Sequence, residues 1–307
     1  MRALHALFLA IIVLAPWRAW AGAIVVSSKL DTEGALLGKM IVILLGAAGL
    51  PVADRTELGP TQVLRAAIVS GAIDLYPEYT GNAAFFFHED GAPVWKNAAG
   101  GYARARSLDL AANHLVWLAP APADNSWVLA MRADLAKANG LRSLDDVARW
   151  VNSGARVLLA ASAEFVESPA GLPAFQTTYG FDLRAAQMLV FSGGDTAATC
   201  KAAASGISGV NLSMAYGTDG ALAALDLVAL DDPRRAQPIY APAPVVREAA
   251  LRDHPQIAAI LAPAFATLDR ATLRGLNERI AIEGEAPDAV ARAYLESRRL
   301  IAPAHVQ

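Results

Sequence analysis

The stretch Asp74-Leu-Tyr-Pro-Glu-Tyr-Thr-Gly81 decides how the rest of the chain is organised. A predicted helix precedes it and ends at a Ser-Gly pair, which is a typical helix breaker. Residues 73–76 are predicted to form a short strand that stops before Pro77, because proline cannot donate a hydrogen bond within a central sheet. Tyr76 and Tyr79 would therefore lie at the carboxyl end of a strand, where open α/β sheets bind ligands.

The same arrangement occurs a second time further along the chain. A predicted helix over residues 197–204, a Ser-Gly break and a predicted strand over residues 210–216 lead to Tyr216, and the turn Gly217-Thr-Asp-Gly220 follows. Two interpretations are open, since α/β units generally resemble one another. Either the similarity is only that general one, or the chain has two similar lobes that each present a tyrosine to a shared cleft.

Residues 1–21 have the pattern of a secretory signal peptide. Arg2 and His5 precede an apolar core, and Ala19-Trp-Ala21 fits a cleavage site with small residues at its first and third positions. The apolar run is too short to span a membrane. We therefore expect export to the bacterial periplasm, with a mature chain that begins near Gly22.

Composition and charge exclude several classes of function. The 307 residues carry a formal net charge of −3 and no basic tract, so neither nucleic acid nor an anionic membrane surface is an expected partner. The single cysteine, Cys200, allows no intramolecular disulfide. No catalytic, metal-binding or phosphate-binding motif stands out, so we expect a monomer that is not an enzyme and has no cofactor or metal.

Two proline-rich segments, residues 119–127 and 239–246, divide the chain and are predicted to be extended connections. Strands and helices alternate between and around them, which predicts an α/β protein with largely parallel central sheets. A chain that crosses twice would form two lobes with the ligand cleft between them. The predicted lobes are 22–122 plus 239–307 for lobe 1 and 123–238 for lobe 2.

Aromatic residues are concentrated at predicted strand ends and connections. They are Tyr76, Tyr79, Trp127, Tyr216 and Tyr240. Several aromatic faces around one point form a box for a cation that cannot donate hydrogen bonds, and quaternary ammonium is the typical guest. Trp127 could pack a hinge or form a wall of the ligand site. Lys29 lies in a loop before a predicted helix, so it is either a solvated lysine or the partner of an anionic group on the ligand.

Four motifs, in this order along the chain, resemble one family. They are Ser28-Lys-Leu-Asp-Thr-Glu33, Tyr76-Pro-Glu-Tyr-Thr-Gly81, Ala215-Tyr-Gly-Thr-Asp-Gly220 and Tyr240-Ala-Pro-Ala-Pro-Val-Val-Arg247. The family is the glycine betaine/choline-type osmoprotectant-binding proteins of ABC importers. Three further segments make the resemblance closest to the OsmF/YehZ branch, namely Asn82-Ala-Ala-Phe-Phe-Phe87, Ala161-Ser-Ala-Glu-Phe165 and Gly193-Gly-Asp-Thr196.

The resemblance implies a type II periplasmic-binding-protein clamshell that captures a quaternary-ammonium compatible solute. It also implies delivery of that solute to an inner-membrane permease with a cytoplasmic ATPase. In the family an aromatic cage holds the trimethylammonium group, and a lysine contacts the carboxylate of the ligand. Carried over by motif, the expected ligand-binding residues are Tyr79, Trp127, Tyr216 and Tyr240 for the cage, Lys29 for the carboxylate, and Asn82, Asn125 and Thr218 beside them.

Two positions depart from the family pattern. Ser168-Pro169 stands where many relatives have an arginine that clamps the carboxylate, and Asn82 replaces a common Thr or Ser. Losing a charge-assisted bidentate contact costs about 1.5–3 kcal/mol of binding free energy. The resemblance therefore implies weaker betaine binding here. Two alternatives stay open: the same fold with a different cationic or zwitterionic ligand, and a partner-binding or sensory module.

Overall fold

The computed structural model describes residues 22–192 and 196–303. The predicted signal peptide, residues 1–21, lies outside the described residues, as does most of the motif at 193–196. Within the described ranges, no helix combines the length and apolarity that crossing a membrane requires.

Two five-stranded sheets form the centres of two lobes. The strands in chain order are β1 (Ile24–Lys29), β2 (Val52–Gly59), β3 (Leu75–Tyr79), β4 (Leu115–Trp117), β5 (Trp127–Arg132), β6 (Leu159–Ser162), β7 (Met188–Phe191), β8 (Leu212–Tyr216), β9 (Leu227–Ala229) and β10 (Pro242–Arg247). The spatial order is β2-β1-β3-β10-β4 in lobe 1 and β7-β6-β8-β5-β9 in lobe 2. The two orders correspond position by position.

Strand directions agree with the predicted fold class. In each sheet four strands run in one direction, and a single strand, β10 or β5, is antiparallel to its neighbours. Each antiparallel strand follows a connection from the other lobe and therefore enters its sheet from the opposite end. The prediction of an α/β protein with two lobes and largely parallel sheets is confirmed.

Helices cover both sheets. They are α1 (Thr32–Ala47), α2 (Thr61–Ser70), α3 (Asn82–Phe86), α4 (Ala98–Asn113), α5 (Ala133–Asn139), α6 (Leu144–Asn152), α7 (Ala163–Glu167), α8 (Leu172–Tyr179), α9 (Thr196–Ser205), α10 (Ala221–Ala224), α11 (Glu248–Asp253), α12 (Ile257–Phe265), α13 (Arg270–Ala281) and α14 (Pro287–Ser297). Short 3-10 turns occur at Pro93–Lys96, Ala185–Gln187 and Ile207–Gly209. Helices α5 to α10 belong to lobe 2 and the others to lobe 1.

Each lobe has an apolar core on both faces of its sheet. In lobe 1, α1 and the C-terminal helices bury Met40, Leu261 and Leu273 on one face, while Leu64 and Trp117 lie in the core of the other. Two further clusters enclose the lobe 2 sheet in the same way. Burial on both faces explains the nearly continuous apolar runs of the central strands.

The helix that follows β1 begins where the sequence predicts. The side chain of Asp31 accepts a hydrogen bond of 2.8 Å from the backbone N–H of Gly34 and so caps α1. The cap holds the β1–α1 loop against the amino end of the helix, and Lys29, predicted to lie in that loop, is the last residue of β1. Ser143 caps α6 in a capping box with Asp146, as its position also predicts.

The strand that carries Tyr79 is longer than predicted. β3 continues through Pro77 although it lies in the middle of its sheet, so the prediction that Pro77 ends the strand is wrong. Pro77 lies opposite Pro244 of β10, whose carbonyl oxygen accepts a hydrogen bond from Leu118 on the far side. At such a position an antiparallel pair exchanges no hydrogen bonds, and β1 pairs with β3 only at Leu75. The missing N–H groups of the two prolines therefore cost no hydrogen bond between β3 and β10, and on its other side Pro244 meets Leu118 just beyond the end of β4.

The two connections between the lobes are hydrogen-bonded to each other. The backbone N–H of Asn125 donates to the carbonyl of Tyr240 at 3.0 Å, and the N–H of Tyr240 donates to Oδ1 of Asp124 at 2.9 Å. The second connection is shorter than predicted because β10 begins at Pro242. The predicted lobe boundaries at 122–123 and 238–239 fall within these connections and stay a prediction.

Candidate functional site

Tyr79 and Tyr216 occupy equivalent places in the two lobes. Each is the last residue of the third strand in its sheet. Each also lies opposite the strand that enters from the other lobe, since Tyr79 pairs with Pro242 and Tyr216 pairs with Trp127. The repeat in the sequence therefore corresponds to two lobes with the same topology, which favours that interpretation over a general α/β resemblance.

Three aromatic rings form a wall on lobe 2. Trp127 stacks on Tyr216 with ring centroids 6.3 Å apart and an interplanar angle of 18°. Phe165 meets Trp127 edge-on at 5.5 Å. Both geometries are favourable for aromatic pairs. Trp127 thus both packs beside the connection and presents a ring next to Tyr216. Phe165 is absent from the predicted site, although its segment belongs to a motif that supported the family resemblance.

Tyr79 is held in place by polar contacts on lobe 1. Its side chain is 5% exposed, and its hydroxyl donates a hydrogen bond of 2.9 Å to Oε1 of Glu33. The ammonium of Lys29 lies 4.6 Å from the centroid of its ring. Burial, together with the nearby carboxylates Glu33 and Asp31, raises the pKa of Tyr79 well above its ordinary value. The hydroxyl therefore stays neutral and acts as a donor.

Tyr240 packs its ring against the turn that follows Tyr79. A Cβ atom added to Gly81 would lie 2.8 Å from Cδ1 and Cε1 of the Tyr240 ring. The φ of Gly81 is −63°, which any residue can adopt. Glycine is required here because the Tyr240 ring leaves no space for a side chain. The close approach explains the glycine at the end of the motif and places Tyr240 beside the carboxyl end of β3.

Lys29 is buried and paired, which excludes the interpretation as a solvated loop lysine. Its Nζ lies 2.7 Å from Oε1 of Glu78, and the side chains are 7% and 0% exposed. Glu78 also accepts hydrogen bonds from the hydroxyl of Tyr76 at 3.0 Å, the N–H of Tyr79 at 2.7 Å and Nδ2 of Asn82 at 2.7 Å. One buried carboxylate therefore holds three of the predicted ligand-binding residues.

A second buried carboxyl, Glu33, is also missing from the predicted site. It is 4% exposed and accepts hydrogen bonds from Tyr79 and, at 2.8 Å, from Nδ2 of Asn277. Burial raises the pKa of Glu33 to about 7, although hydrogen bonds from Thr218, Asn277 and Tyr79 lower it. Glu33 lies in the first turn of α1, and no neighbouring residue in the sequence indicates that its side chain is buried among these hydrogen-bond donors.

The turn after Tyr216 meets lobe 1 beside Glu33. Nδ2 of Asn277 also donates to the carbonyl of Thr218 at 2.9 Å, and Nε of Arg274 donates to the carbonyl of Gly217 at 2.9 Å. The hydroxyl of Thr218 donates to Oδ1 of Asn125 at 2.7 Å. Two of the predicted residues, Thr218 and Asn125, are thus bonded to each other. These contacts join lobe 2 to α13 of lobe 1.

Carboxylates surround the aromatic rings. Burial raises the pKa of Tyr216, and Glu164 and Asp31 raise it further by their charge. Burial also raises the pKa of Tyr240, followed by the charges of Asp124, Glu164 and Glu78. The charge of Glu164 thus contributes to the raised pKa of both Tyr216 and Tyr240. Aromatic faces inside an acidic surrounding favour a cationic ligand.

Metal chemistry has no support in the described part of the chain. Residues 22–192 and 196–303 contain no group of three His, Cys, Asp or Glu side chains that could hold a metal ion. The site offers rings, amides, hydroxyls and carboxylates, which suit the binding of a small polar cation.

Comparison with known proteins places the chain in a family. Residues 22–297 match the family model described as the substrate binding domain of ABC-type glycine betaine transport systems. The chain is 53% identical over 278 residues to the glycine betaine-binding protein YehZ of Escherichia coli (strain K12), covering 91% of each. It is 32% identical over 282 residues to a glycine-betaine-binding protein of Pseudomonas aeruginosa (strain ATCC 15692), covering 90% of this chain and 88% of that one.

A solved structure agrees with these matches. The structure of apo YehZ from Escherichia coli superposes with a TM-score of 0.76 at 52% identity, and the match covers 91% of this chain and 99% of that one. The chain therefore belongs to the family of substrate-binding domains of ABC-type glycine betaine transport systems.

Proposed function

We propose that this chain is the periplasmic solute-binding component of an ABC importer and captures a quaternary-ammonium solute, such as glycine betaine, between its lobes. The observation that carries the proposal is the stack of Trp127 on Tyr216, at the same strand end in lobe 2 that Tyr79 occupies in lobe 1. Membership of the family and the names of two relatives support the same ligand class.

The roles of the residues follow from their chemistry. Tyr79, Trp127, Tyr216 and Tyr240 would contact the methylated ammonium with their rings, because quaternary ammonium has no N–H to donate. Phe165 would support the cage from behind by holding the Trp127 ring. Polar side chains would surround the rest of the ligand, namely Lys29, Asn82, Asn125 and Thr218.

The cage can account for modest affinity. Each desolvated cation–π contact is worth roughly 0.5–2 kcal/mol, so three or four contribute about 2–8 kcal/mol. A dissociation constant of 1 μM corresponds to about 8 kcal/mol, and ordering the ligand and the lobes reduces the gain. Binding in the micromolar to millimolar range is therefore expected from the cage.

The remaining parts of the proposal concern location and partners. Removal of residues 1–21 during export would release the mature chain into the periplasm. There the monomer would bind its solute without changing it chemically and would deliver it to an inner-membrane permease with a cytoplasmic ATPase. The acidic surface balance, with a net charge of −3, suits neither nucleic acid nor an anionic membrane surface as partner.

Titration of the mature protein with glycine betaine and with choline, followed by calorimetry, tests the proposal. We expect saturable binding that Trp127→Ala and Tyr216→Ala abolish and that Trp127→Phe retains in part, because phenylalanine keeps an aromatic face. Tyr102→Phe, which removes a hydroxyl that donates to the carbonyl of Trp117 and touches no proposed ligand-binding residue, is the matched control and should bind as the wild type does. Absence of binding by either ligand up to tens of millimolar, or full binding by Trp127→Ala, contradicts the proposal.

A further inference from the structure

The charge of Lys29 is already neutralised inside the protein. Lys29 is the single cation among the proposed ligand-binding residues, and its Nζ lies 2.7 Å from Oε1 of Glu78. Glu78 is completely buried, so water does not screen the pair from the Glu78 side. A carboxylate that approached Lys29 would be attracted by the ammonium and repelled by the Glu78 carboxylate directly beside it, which cancels part of the attraction.

The neighbouring charges would repel a carboxylate as well. In the described part of the chain, Asp31 and Glu164 form no ion pair with a lysine or arginine. Asp31 and Glu164 both lie close enough to Tyr216 to act on it by their charge. Residues 159–179, which include the lobe 2 segment that carries Phe165, contain no lysine or arginine.

We propose that Glu78 acts as the internal counter-ion of Lys29, so that the cleft recognises its ligand by the cationic end and gains little from a carboxylate at the other end. The inference rests on the proposed function. It states that the cationic end of the solute, and not its carboxylate, determines affinity. Glu78 is thus a specificity-determining residue: it decides how strongly the site distinguishes a zwitterion from a plain cation.

The variant Glu78→Gln tests this role directly. It keeps the shape of the side chain and removes its charge, which leaves a buried ammonium without a counter-ion. We expect the ratio of the choline dissociation constant to the betaine dissociation constant to rise about tenfold, because the ligand carboxylate then supplies the missing negative charge. Calorimetric titration of both ligands gives the ratio, and an unchanged or lower ratio overturns the proposal.

Tyr76→Phe is the matched control. It removes the hydroxyl that donates to Oε2 of Glu78 and leaves the ion pair with Lys29 in place. Its choline-to-betaine ratio should equal that of the wild type. A ratio that rises as much in Tyr76→Phe as in Glu78→Gln would show that the effect comes from a disturbed network rather than from the charge, and would overturn the proposal.

The double variant Lys29→Met, Glu78→Gln covers the case in which Glu78→Gln does not fold. It removes both charges together, so no unpaired charge stays buried. If the Lys29–Glu78 pair exerts no net electrostatic effect on the ligand, the betaine affinity of the double variant stays within about threefold of the wild type. A loss of more than about tenfold in betaine affinity, with choline affinity unchanged, means that Lys29 serves the ligand carboxylate and overturns the proposal.

The proposed function, solute binding, and the counter-ion role of Glu78 can fail separately. Binding of either ligand to the wild type supports the proposed function, whatever the ratio does in the variants. If the wild type binds neither betaine nor choline, the proposed function fails and this inference fails with it. If both ligands bind and only the ratio behaves otherwise than expected, the inference alone is overturned.

Discussion

The hydroxyl of Tyr79 donates a 2.9 Å hydrogen bond to Oε1 of Glu33, a carboxyl that the fold buries almost completely. The other oxygen of Glu33 accepts from Asn277, which also bonds the turn of the opposite lobe. Because burial raises the pKa of Glu33 to about 7, a group that titrates near neutrality touches both the proposed cage and the contact between the lobes. Stability should therefore depend on pH through this residue.

We predict that stability decreases as pH rises through 7. The folded protein binds the Glu33 proton up to about pH 7, whereas the unfolded chain releases it near the ordinary pKa of 4.5. The stabilisation from that proton is complete below 4.5, is lost between 4.5 and about 7, and amounts to about 3 kcal/mol. Urea unfolding of the wild type and of Glu33→Gln between pH 5 and 8.5 measures it. The variant should lack this slope, and equal slopes in both proteins would contradict the assignment.

We predict that Gly81→Ala weakens ligand binding more than it destabilises the fold. The new Cβ would lie 2.8 Å from the Tyr240 ring, so the ring must move away from the turn after Tyr79. We expect a loss of about tenfold in affinity for the quaternary-ammonium ligand, equivalent to one lost cation–π contact. Calorimetry measures the affinity and a urea titration the stability. Gly46→Ala, whose Cβ would meet no atom within 4 Å, is the control and should leave binding unaltered.

We predict that Asp109→Asn costs about 3 kcal/mol of stability, since it leaves a largely buried arginine without the partner of its charge. Asp109 is fully buried and accepts two hydrogen bonds from Arg65 and one from the Trp117 indole. Chemical denaturation monitored by circular dichroism gives the value. The control is Asp54→Asn, which breaks a half-exposed pair with Lys39 and should cost about 1 kcal/mol or less. Similar losses in the two variants would be inconsistent with the buried network.

We predict that Asn277→Ala opens the lobes in the absence of ligand. The variant removes the hydrogen bonds to Glu33 and to the carbonyl of Thr218, which lie on opposite lobes. Small-angle X-ray scattering should show a larger radius of gyration, and ligand affinity should fall about tenfold because closure loses the hydrogen bond to the carbonyl of Thr218 in lobe 2. Asn152→Ala, which removes a bond within lobe 2, should change neither quantity. An unchanged radius of gyration in Asn277→Ala would argue against a role in closure.

Many elements could be predicted because their signals are local. The predicted helix over residues 197–204 lies within α9 (Thr196–Ser205), and the predicted strand over residues 210–216 corresponds to β8 (Leu212–Tyr216). These features depend on periodicity and on side chains within three or four positions. The same holds for Tyr216, whose place at a strand end follows from the Gly-Thr-Asp-Gly turn after it.

The extent of β3, the strand that contains Pro77, could not be predicted from neighbouring residues alone. Pro77 would end a strand in most sheets, and only the pairing with Pro244, 167 positions later, lets β3 continue to Tyr79. The sheet register, which no nearby residue determines, places both prolines where no hydrogen bond is exchanged.

The sequence by itself determined the two-lobe α/β plan, the strand end that carries Tyr216 and the family to which the motifs belong. Only the tertiary structure decided which polar side chains meet: Lys29 with Glu78 across 49 positions, and Glu33 with Asn277 across 244. It also brought Phe165 onto Trp127. Helix and strand patterns follow from neighbouring residues, whereas ion pairs and ring contacts depend on strand order and on how two lobes close, and these are properties of the whole chain.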